Sequence, residues 1–179
     1  GLLLAPATVD LSSADLVLSK KSEQVSVLKE KINAVDFNQN KLDYILIDCP
    51  PSLNLLTINA LVASDSVLVP LQAEFLPLEG LSQLMLSVKE IRDTANPDLR
   101  FEGIVLTMFD KRNNLSRQVE EDVRDNLKGL VYQSVIPRSV KLSEAPSYGK
   151  SIFDYSPRSK GAFAYKALAL EILSRHEVN

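Results

Sequence analysis

The chain has 179 residues, of which 45% are hydrophobic and 24% charged, and its formal net charge is −3. That balance is ordinary for a globular protein, and the length suits one domain with a sizeable core. No apolar run approaches the roughly 20 residues that span a bilayer, so no membrane span is predicted. The apolar run Leu2–Ala5 ends at Pro6 and has no basic flank, so no signal peptide is predicted either. The single Cys49 excludes an internal disulfide, favours a reducing compartment and cannot build a zinc site with the single His176.

The charge is unevenly distributed along the chain. Residues 107–160 carry ten Lys and Arg against seven Asp and Glu, whereas the remaining residues carry ten against sixteen. A basic segment in an acidic protein is compatible with a face that binds a polyanion, and equally with ordinary solvated surface.

Short β-branched apolar runs alternate with helical patterns. Such runs are typical of parallel strands that are covered on both faces. They predict strands at Leu42–Asp48, Ser66–Leu71, Phe101–Met108 and Val131–Ile136, and a further buried strand at Leu2–Ala5.

Apolar residues at spacings of three and four predict the helices between these strands. The predicted helices are Ser22–Val35, Ser52–Ala63, Leu78–Ala95, Leu115–Leu127 (with Asn114 or Ser116 as the cap) and Gly161–Arg175. Alternation of this kind implies right-handed βαβ units and an α/β fold with a mostly parallel, doubly wound sheet flanked by helices. No internal repeat or linker divides the chain, so residues 1–179 are expected to form one domain.

Asp48 stands at the carboxyl end of the predicted strand Leu42–Asp48. An acid there is well placed to hold Mg²⁺ or its water shell, because the metal needs a fixed, hard oxygen ligand. The same acid could instead cap the helix at Ser52–Ala63. The adjacent Cys49 has no histidine near it in sequence to activate it, which favours packing over nucleophilic catalysis.

Five sequence blocks, in order from about Ala5 to the C-terminus, closely resemble the ParA family, the Walker-type ATPases that partition bacterial chromosomes and plasmids. The blocks are DYILIDCPPSLNLLTINALVASD, VPLQAEFLPLEGL, LTMFDKRNN, VIPRSVKLSEAPSYGKSI and YSPRSKGA. The resemblance implies a P-loop NTPase fold, ATP and Mg²⁺ as cofactors, and ATP hydrolysis that drives DNA partition.

The resemblance also implies roles for individual residues. It makes Asp48 the Walker B acid beside Mg²⁺, held through water, and places Gln72 and Glu74 near the dimer face. A switch that senses the γ-phosphate would begin at Cys49, Pro50, Pro51 and Ser52. The adenine pocket would be bordered by Thr107, Met108, Asp110, Pro137 and Arg138.

Partners follow from the same resemblance. Non-specific DNA contact would come from Arg112 and Lys141, with Arg138 and Lys150 as weaker candidates, because phosphate neutralisation supplies nearly all non-specific affinity. The ATP-bound protein would be a homodimer that coats the nucleoid in the cytoplasm, without membrane contact. A ParB-type centromere-binding protein would stimulate its hydrolysis.

The sequence departs from the family pattern at the phosphate cradle. The family opens with a glycine-rich deviant Walker A loop, whose backbone N–H groups and lysines bind the phosphates. Here no two of the six glycines lie within ten residues of each other. A second switch aspartate is also missing. We therefore expect the chain to be the C-terminal part of such a protein, unable to hydrolyse ATP by itself.

Three alternatives remain open at this point. A MinD-like division-site ATPase would need a basic amphipathic tail, but after Lys166 the tail has only Arg175 as a basic residue, opposed by Glu171 and Glu177. A metabolic or electron-transfer ATPase of the same superfamily is a second alternative, although one cysteine excludes an iron–sulfur version. A non-catalytic fragment that binds DNA or a partner is the third.

Overall fold

The structure is a computed structural model that describes residues 2–13, 18, 24–35, 42–50, 52–74 and 77–177. The strands are β1 (Ser66–Gln72), β2 (Arg100–Phe109) and β3 (Val131–Pro137). The helices are α1 (Val27–Asn33), α2 (Leu55–Ala63), α3 (Pro77–Thr94), α4 (Asn114–Asn126), α5 (Val140–Glu144), α6 (Ile152–Tyr155) and α7 (Lys160–Glu177), and short 3-10 helices span Val9–Ser13 and Ala145–Tyr148.

The chain separates into two compact units. The first unit contains residues 1–66 and 86–100, and the second contains residues 67–85 and 101–179. The boundaries fall at the start of β1, within α3 and at the start of β2.

The sheet of the second unit has the strand order β1-β2-β3. β2 and β3 run parallel, with Ile104 opposite Val131, Leu106 opposite Val135, and Phe109 opposite Pro137. Between β2 and β3 the chain passes through α4, as parallel strands require a crossover.

Helices cover both faces of this sheet. Successive residues of β2 point to opposite faces, and each set of residues packs into a different core. Ile104 and Leu106 pack into one core with buried residues of β1, α3 and α4. Val105 packs into a second core with Tyr132, Ile136 and Leu168 of α7. The doubly wound arrangement predicted from the sequence is confirmed for these strands and helices.

Two buried asparagines hold the first unit together. The Asn59 side chain donates to the carbonyls of Gln24 (2.7 Å) and Leu55 (2.9 Å), and its Oδ1 accepts from the N–H of Leu28 (3.2 Å). Asn96 donates to the carbonyls of Leu61 and Ser64 at 3.0 and 2.8 Å. Both residues are about 95% buried or more, so these bonds satisfy amides that would otherwise be costly to desolvate.

Two strand predictions are wrong. Residues 42–48 form no strand: Leu46 is 90% exposed, and Tyr44 and Ile45 are half exposed. Leu2–Ala5 is likewise exposed and irregular. A strand forms only where backbone partners complete a ladder, and within the described residues neither segment belongs to the sheet.

The helix boundaries also shift. α2 begins at Leu55, because Asn54 caps it by accepting from the N–H of Thr57, and α4 is capped by Asn113 instead of Asn114 or Ser116. The helix predicted from Ser22 begins at Val27, after a turn at residues 24–26; Ser22 lies outside the described residues.

Gly103 provides a test of the packing between β2 and β3. A Cβ there would lie 2.7 Å from the carbonyl oxygen of Leu130 and 2.8 Å from Cε2 of the buried Tyr132, at a φ of +150°. We expect Gly103→Ala to reduce the free energy of unfolding by about 2 kcal/mol or more, measured by urea denaturation.

Gly80→Ala is the matched control. Gly80 lies within α3, and a Cβ added there would have no atom within 4 Å, so alanine at this position should raise the stability by about 0.5–1 kcal/mol. Equal effects of the two substitutions would contradict the described β2–β3 packing.

Candidate functional site

The carboxyl ends of the three strands meet at one edge of the sheet. The N–H of Ala73, just beyond β1, donates to the carbonyl of Thr107 (3.0 Å), and the Thr107 hydroxyl donates to the carbonyl of Leu71 (3.3 Å). Phe109 at the end of β2 lies opposite Pro137 at the end of β3. Ligands of open α/β sheets bind at this edge.

Arg138 joins all three strand ends. Its N–H donates to the carbonyl of Phe109 (3.0 Å), and its guanidinium forms an ion pair with Glu74. Glu74 follows β1 and Arg138 follows β3, so this pair reaches across β2 at the edge. The family resemblance gives both residues other roles, and their pairing leaves no signal in the sequence because 64 positions separate them.

Met108 adopts a backbone conformation that non-glycine residues rarely use. Its φ is +54°, in the left-handed region. Such a residue costs roughly 1–3 kcal/mol and persists where the surroundings impose it. Here Thr107 and Phe109 on either side are both held by cross-strand hydrogen bonds, and the strain therefore lies at the centre of the edge.

Asp110 and Arg112 form a two-pronged ion pair just beyond β2. Nε and Nη2 of Arg112 donate to the two carboxylate oxygens at 3.1 and 3.0 Å, and the Arg112 backbone N–H donates to Oδ1 at 3.0 Å. These hydrogen bonds, followed by the positive charges of Arg112 and Arg138, lower the pKa of Asp110 to about 2. Arg112 is otherwise exposed, with 90% of its side chain accessible.

Ser116 connects α4 to the end of β1. Its side chain is buried, and its hydroxyl donates to the carbonyl of Ala73 (2.9 Å). From its position in the sequence Ser116 is predicted only as a helix cap, because a serine near a helix start gives no signal of a distant carbonyl partner.

Lys141 lies four residues beyond β3, on α5. Its Nζ contacts Glu144 Oε2 at 3.0 Å and lies 5.5 Å from the centroid of the Tyr155 ring. The hydrogen bond with Glu144, and then the charge of Glu144, raise the pKa of Lys141. Lys150 is exposed, and its backbone N–H donates to the carbonyl of Ala145 (3.1 Å).

The predicted switch residues belong to the first unit. Asp48, Cys49, Pro50 and Ser52 are exposed, and Pro51 lies outside the described residues. The carbonyl of Ser52 accepts from the Thr57 hydroxyl (2.6 Å), which anchors this segment to α2. Desolvation, and then the charge of Asp48, raise the pKa of the Cys49 thiol, which argues against a reactive thiolate.

The residues present fit a magnesium ion only as a partial ligand set. Within the described ranges, no three His, Cys, Asp or Glu side chains are grouped as a metal site. Asp48 offers one exposed carboxylate. Mg²⁺ characteristically takes one or two protein carboxylates and completes its shell with water and phosphate oxygens, so a single acid is compatible with it.

Comparison with known proteins decides the family. A family model described as an AAA domain matches residues 1–101. The chromosome-partitioning ATPase Soj of Treponema pallidum is 41% identical over 97% of this chain and 68% of its own length. The chain belongs to the ParA family. ParA of Caulobacter vibrioides is 47% identical over 98% of the chain, and Soj of Bacillus subtilis, a sporulation initiation inhibitor, is 52% identical over 93%. The chain spans 65% of the length of each of these two relatives.

Solved structures give the same fold. Cobyrinic acid a,c-diamide synthase of Mycobacterium smegmatis, solved with ADP and magnesium, matches with a TM-score of 0.73 and 35% identity over 92% of this ParA-family chain and 60% of its own. A plasmid partition protein of Borrelia burgdorferi bound to AMPPNP matches with a TM-score of 0.74 at 22% identity, over 92% and 62% of the two chains. Among the described helices, none has the length and apolar character to cross a membrane.

The Asp110–Arg112 pair can be tested by titration. In Arg112→Ala we expect the pKa of Asp110 to rise from about 2 toward the ordinary value of about 4, followed by NMR of its carboxyl carbon. Because the pKa is lowered in the folded state, the pair stabilises the fold above about pH 4, and this contribution is lost as the pH falls toward 2.

Lys111→Ala is the control for that titration. It removes a neighbouring exposed positive charge without removing a hydrogen bond to Asp110. An equal rise in the pKa of Asp110 in both variants would mean that general charge, and not the two-pronged pair, lowers it.

Proposed function

We propose that the protein containing this chain is a DNA-partitioning ATPase. The observation that carries the proposal is the grouping of Thr107, Met108, Asp110, Pro137 and Arg138 at the carboxyl edge of a parallel sheet, where nucleotides bind in folds of this class. The partition names of relatives that are 41–47% identical support it. The synthase is less similar, at 35% identity, which favours partition over a metabolic reaction.

Nucleotide would bind with its base against the carboxyl edge. Thr107 and Arg138 are fixed there by backbone hydrogen bonds, so they would border the base without further ordering. Asp48 would hold Mg²⁺ through its water shell, and Cys49 to Ser52 would respond to the γ-phosphate. Bound Mg²⁺ would neutralise charge on the transferred phosphoryl group. The cradle for the phosphates has to come from a glycine-rich loop, which residues 1–179 do not contain.

DNA would bind without sequence preference through Arg112 and Lys141, with Arg138 and Lys150 as weaker contacts. Arg112 and Lys141 follow adjacent strands that end opposite each other at Phe109 and Pro137, which supports a shared basic face. We propose that ATP binding produces the homodimer, near Gln72 and Glu74, and that a ParB-type partner stimulates hydrolysis on the nucleoid. Residues 1–179 would form part of a single ATPase domain.

The MinD-like alternative is disfavoured by the charge of the last helix together with its packing. Phe163, Leu170 and Leu173 are exposed on this helix, but after Lys166 its only Lys or Arg residue is Arg175. Membrane-binding tails present a free apolar face flanked by basic residues. In α7, Leu168 and Ile172 pack in the core against β3. Glu171 accepts from the backbone N–H groups of Gln133 and Ser134, both at 2.8 Å, and these bonds tie the helix to the strand.

ATP hydrolysis tests the proposed role of Asp48. The protein used is this chain joined to a ParA-family N-terminal segment that carries the glycine-rich loop. We expect Asp48→Asn to lower its Mg²⁺-dependent ATPase rate by about 10- to 100-fold, measured as phosphate release. Asp43→Asn, an exposed acid on the same segment, should leave the rate within about twofold of the parent; an equal loss in both would contradict the role of Asp48.

DNA retention tests the basic face. We expect Arg112→Ala with Lys141→Ala to abolish binding to a labelled duplex of arbitrary sequence, measured by fluorescence anisotropy at low salt with ATP and Mg²⁺. Lys89→Ala with Lys166→Ala removes the same charge at exposed positions on α3 and α7 and should bind as the parent does. Unchanged binding by the first double variant would refute the assignment.

A further inference from the structure

Lys141 belongs to a closed side-chain cluster, which we call the Lys141 cluster: Lys141, Glu144, Tyr148 and Tyr155. Glu144 Oε2 accepts from Lys141 Nζ (3.0 Å) and from the Tyr155 hydroxyl (2.8 Å). The ammonium group lies 5.5 Å from the Tyr155 ring centroid, and this ring stacks on Tyr148 with centroids 5.1 Å apart. The carboxylate of Glu144 therefore joins α5 to α6.

The backbone beneath the cluster is held by apolar packing. Ala145 and Ile152 are buried together with Ala162, and Leu142 and Tyr155 pack against them. Gly161 makes this close approach possible, since a Cβ there would lie 2.7 Å from Cγ of Leu142. Lys141 and Glu144 are three residues apart on one short helix, which places their side chains side by side.

The charge of Lys141 is balanced within the protein. The hydrogen bond from Lys141, and then that from Tyr155, lower the pKa of Glu144, so the carboxylate is ionised at neutral pH. Arg112 is balanced in the same way by Asp110, and Arg138 by Glu74. Each of these three cations at the carboxyl edge thus lies against a carboxylate that repels a phosphate approaching the same cation.

The strength of the Lys141–Glu144 ion pair decides how much it lowers the affinity for DNA. Exposed ion pairs are weak, and slightly more than half of the Lys141 side chain is accessible. A DNA phosphate can therefore replace Glu144 as the partner of Lys141, at a cost in affinity that is small but measurable. Tyr155 maintains the competition, because its hydroxyl keeps the carboxylate oriented toward Lys141.

We propose that Glu144 competes with DNA phosphate for Lys141 and thereby limits the affinity of this face for DNA. This inference rests on the proposed function, because it requires that Lys141 contacts DNA. Glu144 acts on DNA binding through Lys141. When DNA binds, a Lys141–phosphate ion pair replaces the Lys141–Glu144 ion pair.

The test is Glu144→Gln in the extended ATPase described above. Glutamine keeps the size and an acceptor for the Tyr155 hydroxyl but removes the charge. We expect Kd for a labelled duplex of arbitrary sequence to fall by about two- to fivefold at low salt. The gain should shrink as salt is raised to about 200 mM, because the competition is electrostatic.

Glu120→Gln is the matched control. Glu120 forms an ion pair of the same length, 3.0 Å, with Arg124 within α4, so its replacement changes the net charge equally. We expect its Kd to change much less than that of Glu144→Gln. Equal tightening in both variants would show a general charge effect and overturn the inference, as would unchanged or weaker binding by Glu144→Gln.

Lys141→Ala separates this inference from the proposed function. Weaker binding by Lys141→Ala together with no tightening by Glu144→Gln would overturn the competition but keep the DNA face. No effect of Lys141→Ala would overturn the role of Lys141 in DNA binding, and the inference with it. In Glu144→Gln/Lys141→Ala, the gain from glutamine should disappear, because the competed cation is gone.

Discussion

The parallel pairing of β2 with β3 is the constraint on which the candidate site depends. Because the strands run in the same direction, the segments that follow Phe109 and Pro137 leave the sheet at one edge. The hydrogen bond from the Arg138 N–H to the Phe109 carbonyl extends the pairing one residue beyond the strand. Asp110, Arg112, Arg138 and Lys141, distant in sequence, thereby come to the same side of the second unit, and a shift in register would separate them.

Much of the second unit could be predicted from the sequence. β1, β2 and β3 begin and end within one residue of the predicted runs, because each combines β-branched residues with a partner strand that buries it. The segment Leu42–Asp48 has a similar composition, yet most of it is exposed and it forms no strand in the described structure. Composition indicates that a segment can be a strand; whether it is one depends on a neighbouring ladder, which the segment's own residues do not encode.

The candidate site was predictable as a set of positions but not as a set of interactions. The family resemblance supplied Thr107, Met108, Asp110, Pro137 and Arg138, and parallel topology brings them to one edge. The partners of these residues were not predictable. Glu74 and Arg138 meet only because three strands align, and the left-handed φ of Met108 follows from hydrogen bonds on both sides of it. Local sequence patterns do not predict contacts between residues that are distant in the sequence.

The ion pairs at the carboxyl edge have a consequence for reversible binding. A face of uncompensated cations would hold phosphate strongly, and its affinity would fall steeply with salt. Pairing each cation with a carboxylate lowers the affinity that each cation–phosphate contact contributes, while the backbone keeps the cation in position for phosphate. On the proposed function, a protein that must bind the nucleoid and leave it within one ATPase cycle gains from such weak contacts. Their sum, and not any one of them, then decides retention.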